Sequence, residues 1–172
     1  PDPTTGNLKH QQEIFDAVFK HIDQARQYIL VDMFLFNAYK GNADTVFRNL
    51  SRELVEKLIQ KKEEMPGIRI DFITDPINLV YGGRMSSEIK ALKDNGIHVI
   101  VTDLDRLRDS NPLYSALWRI FFKGFGNRDK AGVLPHPFSR IEEKVTVRSY
   151  LAMMNFKANH RKVFVADCDN TN

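Results

Sequence analysis

A chain of 172 residues with a single cysteine, Cys168, has no intramolecular disulfide and no multi-cysteine metal centre. The lone thiol leaves the compartment open, since reducing and oxidising locations both tolerate it. Long apolar runs are also missing. The longest, YILVDMFLF (Tyr28–Phe36), is interrupted by Asp32 and falls well short of the ~20 residues that a membrane-crossing helix needs. The opening PDPTTGNLKH has neither a Met nor a charged stretch leading into an apolar one, so it reads as the start of a processed or excised form. Several catalytic signatures are absent as well. GFGNRD lacks the third glycine of a dinucleotide loop, no G-x-S-x-G occurs, and His10, His21, His98 and His136 have no metal-ligand spacing. Those four read as ordinary surface or core histidines.

What is present describes one globular domain spanning residues 1–172. Hydrophobic residues make up 42% and charged residues 27%, close to globular averages, which argues against disorder and against a membrane-embedded class. A formal charge of +3 favours an anionic partner, phospholipid headgroup or nucleic acid, without choosing between them.

The patterning alternates helix and strand. Ile14, Phe15, Val18, Ile22 and Ala25 recur at helical spacing, predicting a helix over residues 11–26 that runs into the strand YILVDMFLF. A second unit follows. Val46, Leu50, Leu54 and Leu58 share one helical face, Pro66–Gly67 ends the helix, and IRIDFIT (Ile68–Thr74) alternates apolar and polar. In the third unit SSEIKALKDNG, ending at Gly96, leads into IHVIVTDL (Ile97–Leu104). Helices alternating with strands predict an α/β fold with a mostly parallel sheet flanked by helices. From Asp105 to Arg140 the rhythm breaks around the aromatic and basic PLYSALWRIFFKGFGNRDK, which is too long for a plain connection and reads as an insertion over the sheet. Its Tyr114, Trp118, Phe121, Phe122 and Phe125 mixed with Arg119 and Lys123 suit either an interfacial lipid-binding helix or an aromatic core helix. EEKVTVRSYLAMMNF then predicts a short helix or a strand followed by a helix, and KVFVAD (Lys162–Asp167) a last strand.

The chemistry concentrates in NFKANHRKVFVAD, where His160, Lys162 and Asp167 stand in the pattern His-x-Lys-x4-Asp. On a strand, residues two apart point the same way, so imidazole and ammonium project together. A neutral imidazole can attack phosphorus, and a fixed ammonium can neutralise the non-bridging oxygens. Asp167 falls at the far end of the strand, placed to orient or charge a neighbour. Strand alternation turns Arg161 away from His160, while Lys157 and Asn159 could extend a phosphate-binding surface. Asp75 and Asn78 in TDPINLVYGG follow a strand end, where α/β folds place ligands, and read equally well as a capped turn.

HRKVFVAD resembles the HKD motif of the phospholipase D superfamily, and the order of YILVDMFLF, DFITDPINLVYGG and NFKANHRKV resembles the N-terminal half of bacterial cardiolipin synthase-like members. The resemblance implies hydrolysis or transfer of a phosphodiester, phospholipid foremost, through a phosphohistidine at a site where two HKD motifs meet, without metal or other cofactor. His160 would attack phosphorus or protonate the leaving alcohol, Lys162 would hold the non-bridging oxygens, and Asp167 would support the site electrostatically. Such a protein would touch a membrane peripherally, as a membrane-associated or exported bacterial protein does. The chain holds one HKD motif, and CDNTN stands where family members usually carry a glycine followed by a Ser or Asn phosphate ligand. The expectation is therefore an N-terminal half, inactive alone, whose second HKD half comes from the same chain or a second copy. A nuclease of the same superfamily and a non-catalytic module that binds phosphate or anionic lipid are the alternatives.

Overall fold

A computed structural model describes residues 13–37, 48–127, 132–137 and 144–167. Within it four strands form one sheet in the order β3-β2-β1-β6, and β4 (Leu134–Pro135) and β5 (Lys144–Val145) form a separate antiparallel pair. The first unit is α1 (Glu13–Gln24) and β1 (Tyr28–Met33), the second α2 (Leu50–Glu64) and β2 (Arg69–Thr74), the third α3 (Ser87–Asp94) and β3 (His98–Val101). Helix α4 (Pro112–Phe121), helix α5 (Val147–Met153) and strand β6 (Lys162–Ala166) follow. The α/β class expected from patterning is therefore present, with a mixed sheet. β1, β2 and β3 are parallel, and β6 lies antiparallel against β1.

The helix starts have local causes. Asn49 accepts from the Arg52 N–H at the head of α2 and Ser86 from the Ile89 N–H at the head of α3, each satisfying a backbone donor with no partner inside its helix. Asn111 caps α4 with Pro112 in its first turn, where a missing N–H costs nothing. Gly96, with φ of 75°, turns the chain out of α3 into β3, a conformation that strains any residue with a Cβ. The strand expected over Tyr28–Phe36 ends at Met33, because Phe34 still donates to the Arg161 carbonyl while the Phe36 N–H is captured by Asn78.

One face of the sheet makes the core. Ile29 and Val31 of β1 and Ile70 and Phe72 of β2 alternate toward Ile22 and Ala25, Leu54 and Leu58 of α2, and Ile89 and Leu92 of α3. Each such side chain, removed from water, contributes about 1.5–3 kcal/mol. The opposite face carries Asp71, buried and held by Tyr28, Arg69 and His98, beside an apolar stripe in which Val163 and Val165 are exposed. Burial alone would raise the Asp71 pKa, but the hydrogen bonds from Arg69, His98 and Tyr28 bring it below the ordinary carboxylate value. Among the described residues no helix is long and apolar enough to cross a membrane. His10, the predicted helix start at Gln11, Val46 and Cys168 lie outside the described residues, as do parts of the 105–140 segment.

Candidate functional site

Because β1, β2 and β3 are parallel, their C-terminal ends share one edge of the sheet, and antiparallel β6 begins at that same edge. The segment Asn155–Arg161 crosses this edge before entering β6. Asn159, 7% exposed, fastens it there. Its backbone N–H donates to Asp75 Oδ2 at 2.7 Å, and its side-chain amide donates to Asp32 Oδ1 at 3.4 Å and Thr102 Oγ1 at 3.2 Å. Its carbonyl oxygen accepts from Arg161 Nε at 2.9 Å. One residue thus ties the segment to the chain at the ends of all three parallel strands. Arg161 turns toward Asp32, its Nε 3.6 Å from Oδ2, so the cation that alternation sends away from His160 offsets the charge of a buried aspartate.

His160 and Lys162 are brought together on the ring of Phe34. The His160 imidazole packs edge-on against it with centroids 4.2 Å apart, and the Lys162 ammonium sits 5.9 Å from the same ring. Both side chains are exposed, and among the described residues the imidazole makes no hydrogen bond. Beneath them lies Asp75, 1% exposed. Burial raises its pKa above the ordinary carboxylate value, while the N–H groups of Asn159 and Ile77 and the nearby charge of His160 pull the other way. Both of its oxygens accept from backbone N–H, so Asp75 caps the turn and at the same time anchors the segment that carries His160.

Asp167 is not brought to this pair. Five steps along a strand, at ~3.3 Å each, put it roughly 16 Å from Lys162. There its carboxylate accepts from the backbone N–H groups of Tyr28 at 2.8 Å, Gln27 at 2.8 Å and Arg26 at 3.3 Å, joining the end of β6 to the start of β1. The Tyr28 N–H foremost, then those of Gln27 and Arg26, hold its pKa below the ordinary carboxylate value. Asp167 acts on the register of β6, and through it on where His160 and Lys162 stand. Asn78, the other turn candidate, is structural as well. It donates to the Phe34 carbonyl at 2.7 Å and to Thr74 Oγ1 at 2.8 Å, fixing the bend that presents the Phe34 ring.

The turn after β2 is the unusual backbone of the molecule. Val80 and Tyr81 both adopt left-handed conformations, φ 48° and 53°, followed by Gly82 at 84°. A β-branched residue there is strained, and the strain is held from outside. Ser149 Oγ donates to the Val80 carbonyl at 2.7 Å, and Asn127 Nδ2 to the Tyr81 carbonyl at 3.2 Å. The strained turn directs Tyr81 inward near Asp75, where burial and then the Asp75 charge push its hydroxyl up to about 12.

Asp32, Thr102, Tyr81 and Phe34 were not singled out by sequence pattern. Only Asp32 left a signal, as the one charge within an apolar strand. No protein-family model matches the chain, and no curated protein matches its sequence.

Proposed function

We propose that the chain is one catalytic half of a phospholipase D-type phosphodiesterase or phosphatidyltransferase acting on phospholipid, with His160 and Lys162 as its catalytic residues. The observation that carries this reading is the joint presentation of an exposed imidazole and an exposed ammonium on one aromatic ring, at the sheet edge where the parallel strands end. In this reading an imidazole nitrogen of His160 attacks phosphorus. The N–P bond forms as the P–O bond to the leaving alcohol breaks, and a proton from the second half neutralises the leaving oxygen. Water or an acceptor alcohol then attacks phosphorus, passing its proton to the group of the second half that had protonated the leaving oxygen, and the N–P bond breaks to complete hydrolysis or transfer. Lys162 offsets the charge of the non-bridging oxygens through both steps. Asp75 anchors the segment that carries His160, and Asp167 keeps β6 in register.

A lipid substrate is favoured over nucleic acid by α4, whose Leu113, Leu117, Ile120 and Phe121 recur at helical spacing on an exposed face. The 105–140 segment is, in this reading, the insertion that meets a phospholipid surface.

The test is covalent trapping. The chain is mixed with a radiolabelled phosphodiester bearing an aryl leaving group and quenched in alkali, which preserves phosphohistidine. Label should map to His160, vanish in His160→Ala, and fall by about 10²–10³-fold in rate in Lys162→Ala. Label retained by a folded His160→Ala protein would overturn the assignment.

A further inference from the structure

A cleft of about 340 Å³ opens beside the His160 edge, walled by the chain after β2 and β3 on one side and by α4 and α5 on the other. It shares wall residues with the framework of the candidate site. Thr102, which accepts from Asn159, lines it, and so does Tyr81, whose hydroxyl lies near Asp75. Its size is that of sites for small ligands.

The lining is unevenly charged. Arg119, Lys123, Arg148 and Lys157 supply four cations against the carboxylates of Asp103 and Asp105. Arg119 and Lys157 share one partner, Asp109, at 2.9 and 2.6 Å, and the two cations hold its pKa down to about 2. Lys123 pairs with Asp105 at 2.8 Å. Arg148 meets no carboxylate among the described residues; it lies 5.1 Å over the Trp118 ring and donates to the Phe125 and Lys123 carbonyls. Ion pairing fixes where Arg119, Lys123 and Lys157 stand and offsets part of their charge. Arg148 has no carboxylate partner among the described residues and the shared Asp109 leaves Arg119 and Lys157 a positive excess, which is preorganisation for an incoming anion. The two aspartates keep acceptor capacity for hydroxyl donors. A cationic headgroup would meet repulsion here, and a phosphate monoester on a polyol would meet both of its groups.

We propose that this cleft receives a phosphate monoester carried by a small polyol, as the headgroup of the lipid or as the acceptor alcohol, so that the enzyme prefers an anionic partner of the glycerol phosphate kind over a choline-type one. The proposal rests on the phosphodiesterase reading for its role in turnover, but binding at the cleft can be measured independently.

Trp118 is the chain's one tryptophan and lines the cleft, so its fluorescence reports occupancy. The 172-residue chain is titrated with glycerol phosphate, inorganic phosphate and phosphocholine at low salt. Glycerol phosphate should give a saturable change at least about tenfold tighter than phosphocholine, weakened by added salt. Arg119→Gln and Lys123→Gln, each checked for folding by circular dichroism, should each weaken it by about fivefold or more. Among the described residues Lys123 makes a single ion pair, with Asp105, and does not touch the Asp109 pairing that Arg119 shares with Lys157, so its variant keeps the test open should Arg119→Gln fail to fold. His160→Ala should leave the titration unchanged. Tighter binding to vesicles carrying the same monoester as a lipid headgroup assigns it to the lipid; saturation by the soluble ester without that gain assigns it to a free acceptor. Both support the cleft.

Equal affinity for phosphocholine, indifference to both cation variants, or loss of the signal in His160→Ala would overturn the proposal. A His160 adduct formed normally beside an unsaturable cleft would overturn the cleft alone. A saturable cleft in a chain that never labels His160 would overturn the phosphodiesterase reading and leave the anion site standing.

Discussion

At the scale of single residues, the candidate site separates groups that would face a phosphate in the proposed reading from groups that hold those groups in place. His160 and Lys162 belong to the first kind, and Asp167, Asn159 and Asn78 to the second. The His-x-Lys spacing was legible because strand alternation is a local rule, and Phe34 reports its outcome. The environment beneath it was not legible. Asp32, Asp75, Thr102 and Asn159 are far apart in the chain and meet only because three parallel strands end at one edge. Asp167 makes the distinction measurable. Its folded pKa lies below the unfolded value of 3.8, so the stability it contributes is present above that value and is lost as pH falls through the depressed one. Asp167→Asn removes the charge but keeps the shape. At pH 7 its melting temperature should fall by about 3–5 °C. The gap from the parent should close as the pH is lowered below about 4. A gap of constant size down to the acid limit, followed by circular dichroism melts, would show that the carboxylate's charge does not hold β6 to β1.

At the scale of elements, legibility followed how local the stop and start signals are. The Pro66–Gly67 stop and the alternation of IRIDFIT marked the α2–β2 unit, and Ser86 with Gly96 bounded α3, because caps and turn residues act within one turn of chain. The direction of β6 could not be read, since a strand's partner is chosen by long-range closure and not by its own residues. The left-handed pair Val80–Tyr81 was equally hidden. A valine argues against that conformation, and Ser149 and Asn127, distant in the chain, brace it together with the local Gly83 N–H to the Val80 carbonyl. Helix α4 has one buried face and one exposed apolar face. Ser115 and Trp118 are buried, while Leu113 and Ile120, 77% and 72% exposed, face outward. One face therefore walls the cleft, and the other is the face that would meet a lipid surface in the proposed reading. Placing a charge on that outer face should repel it from the apolar layer. Leu113→Asp combined with Ile120→Asp should lower co-sedimentation with phosphatidylglycerol vesicles by about tenfold or more, since burying each side chain is worth about 1.5–3 kcal/mol. Unchanged sedimentation of the folded double variant would remove α4 as the lipid contact.

At the scale of the whole molecule, the described residues bring one histidine to the edge where phosphate would sit. His98 lies at the opposite end of β3, bound to Asp71, and both oxygens of Asp75 are committed to backbone N–H groups. An alkoxide leaving from phosphorus needs a proton, and a group that supplies one contributes about 10²–10⁴-fold to the rate. In the proposed reading, the chemistry open to this chain without a second half is displacement of a leaving group stable enough to depart unprotonated. An aryl phosphodiester such as bis(p-nitrophenyl) phosphate meets that requirement, and a dialkyl phosphodiester does not. The chain alone should therefore release p-nitrophenol at least about 10²-fold faster than it releases alcohol from a dialkyl ester of similar size, measured at one pH. If a second copy supplies the missing proton, the dialkyl rate per chain should rise with protein concentration while the aryl rate per chain stays nearly level. Equal rates on both esters at every concentration would show that this chain protonates its own leaving group, and that the second HKD half is not required.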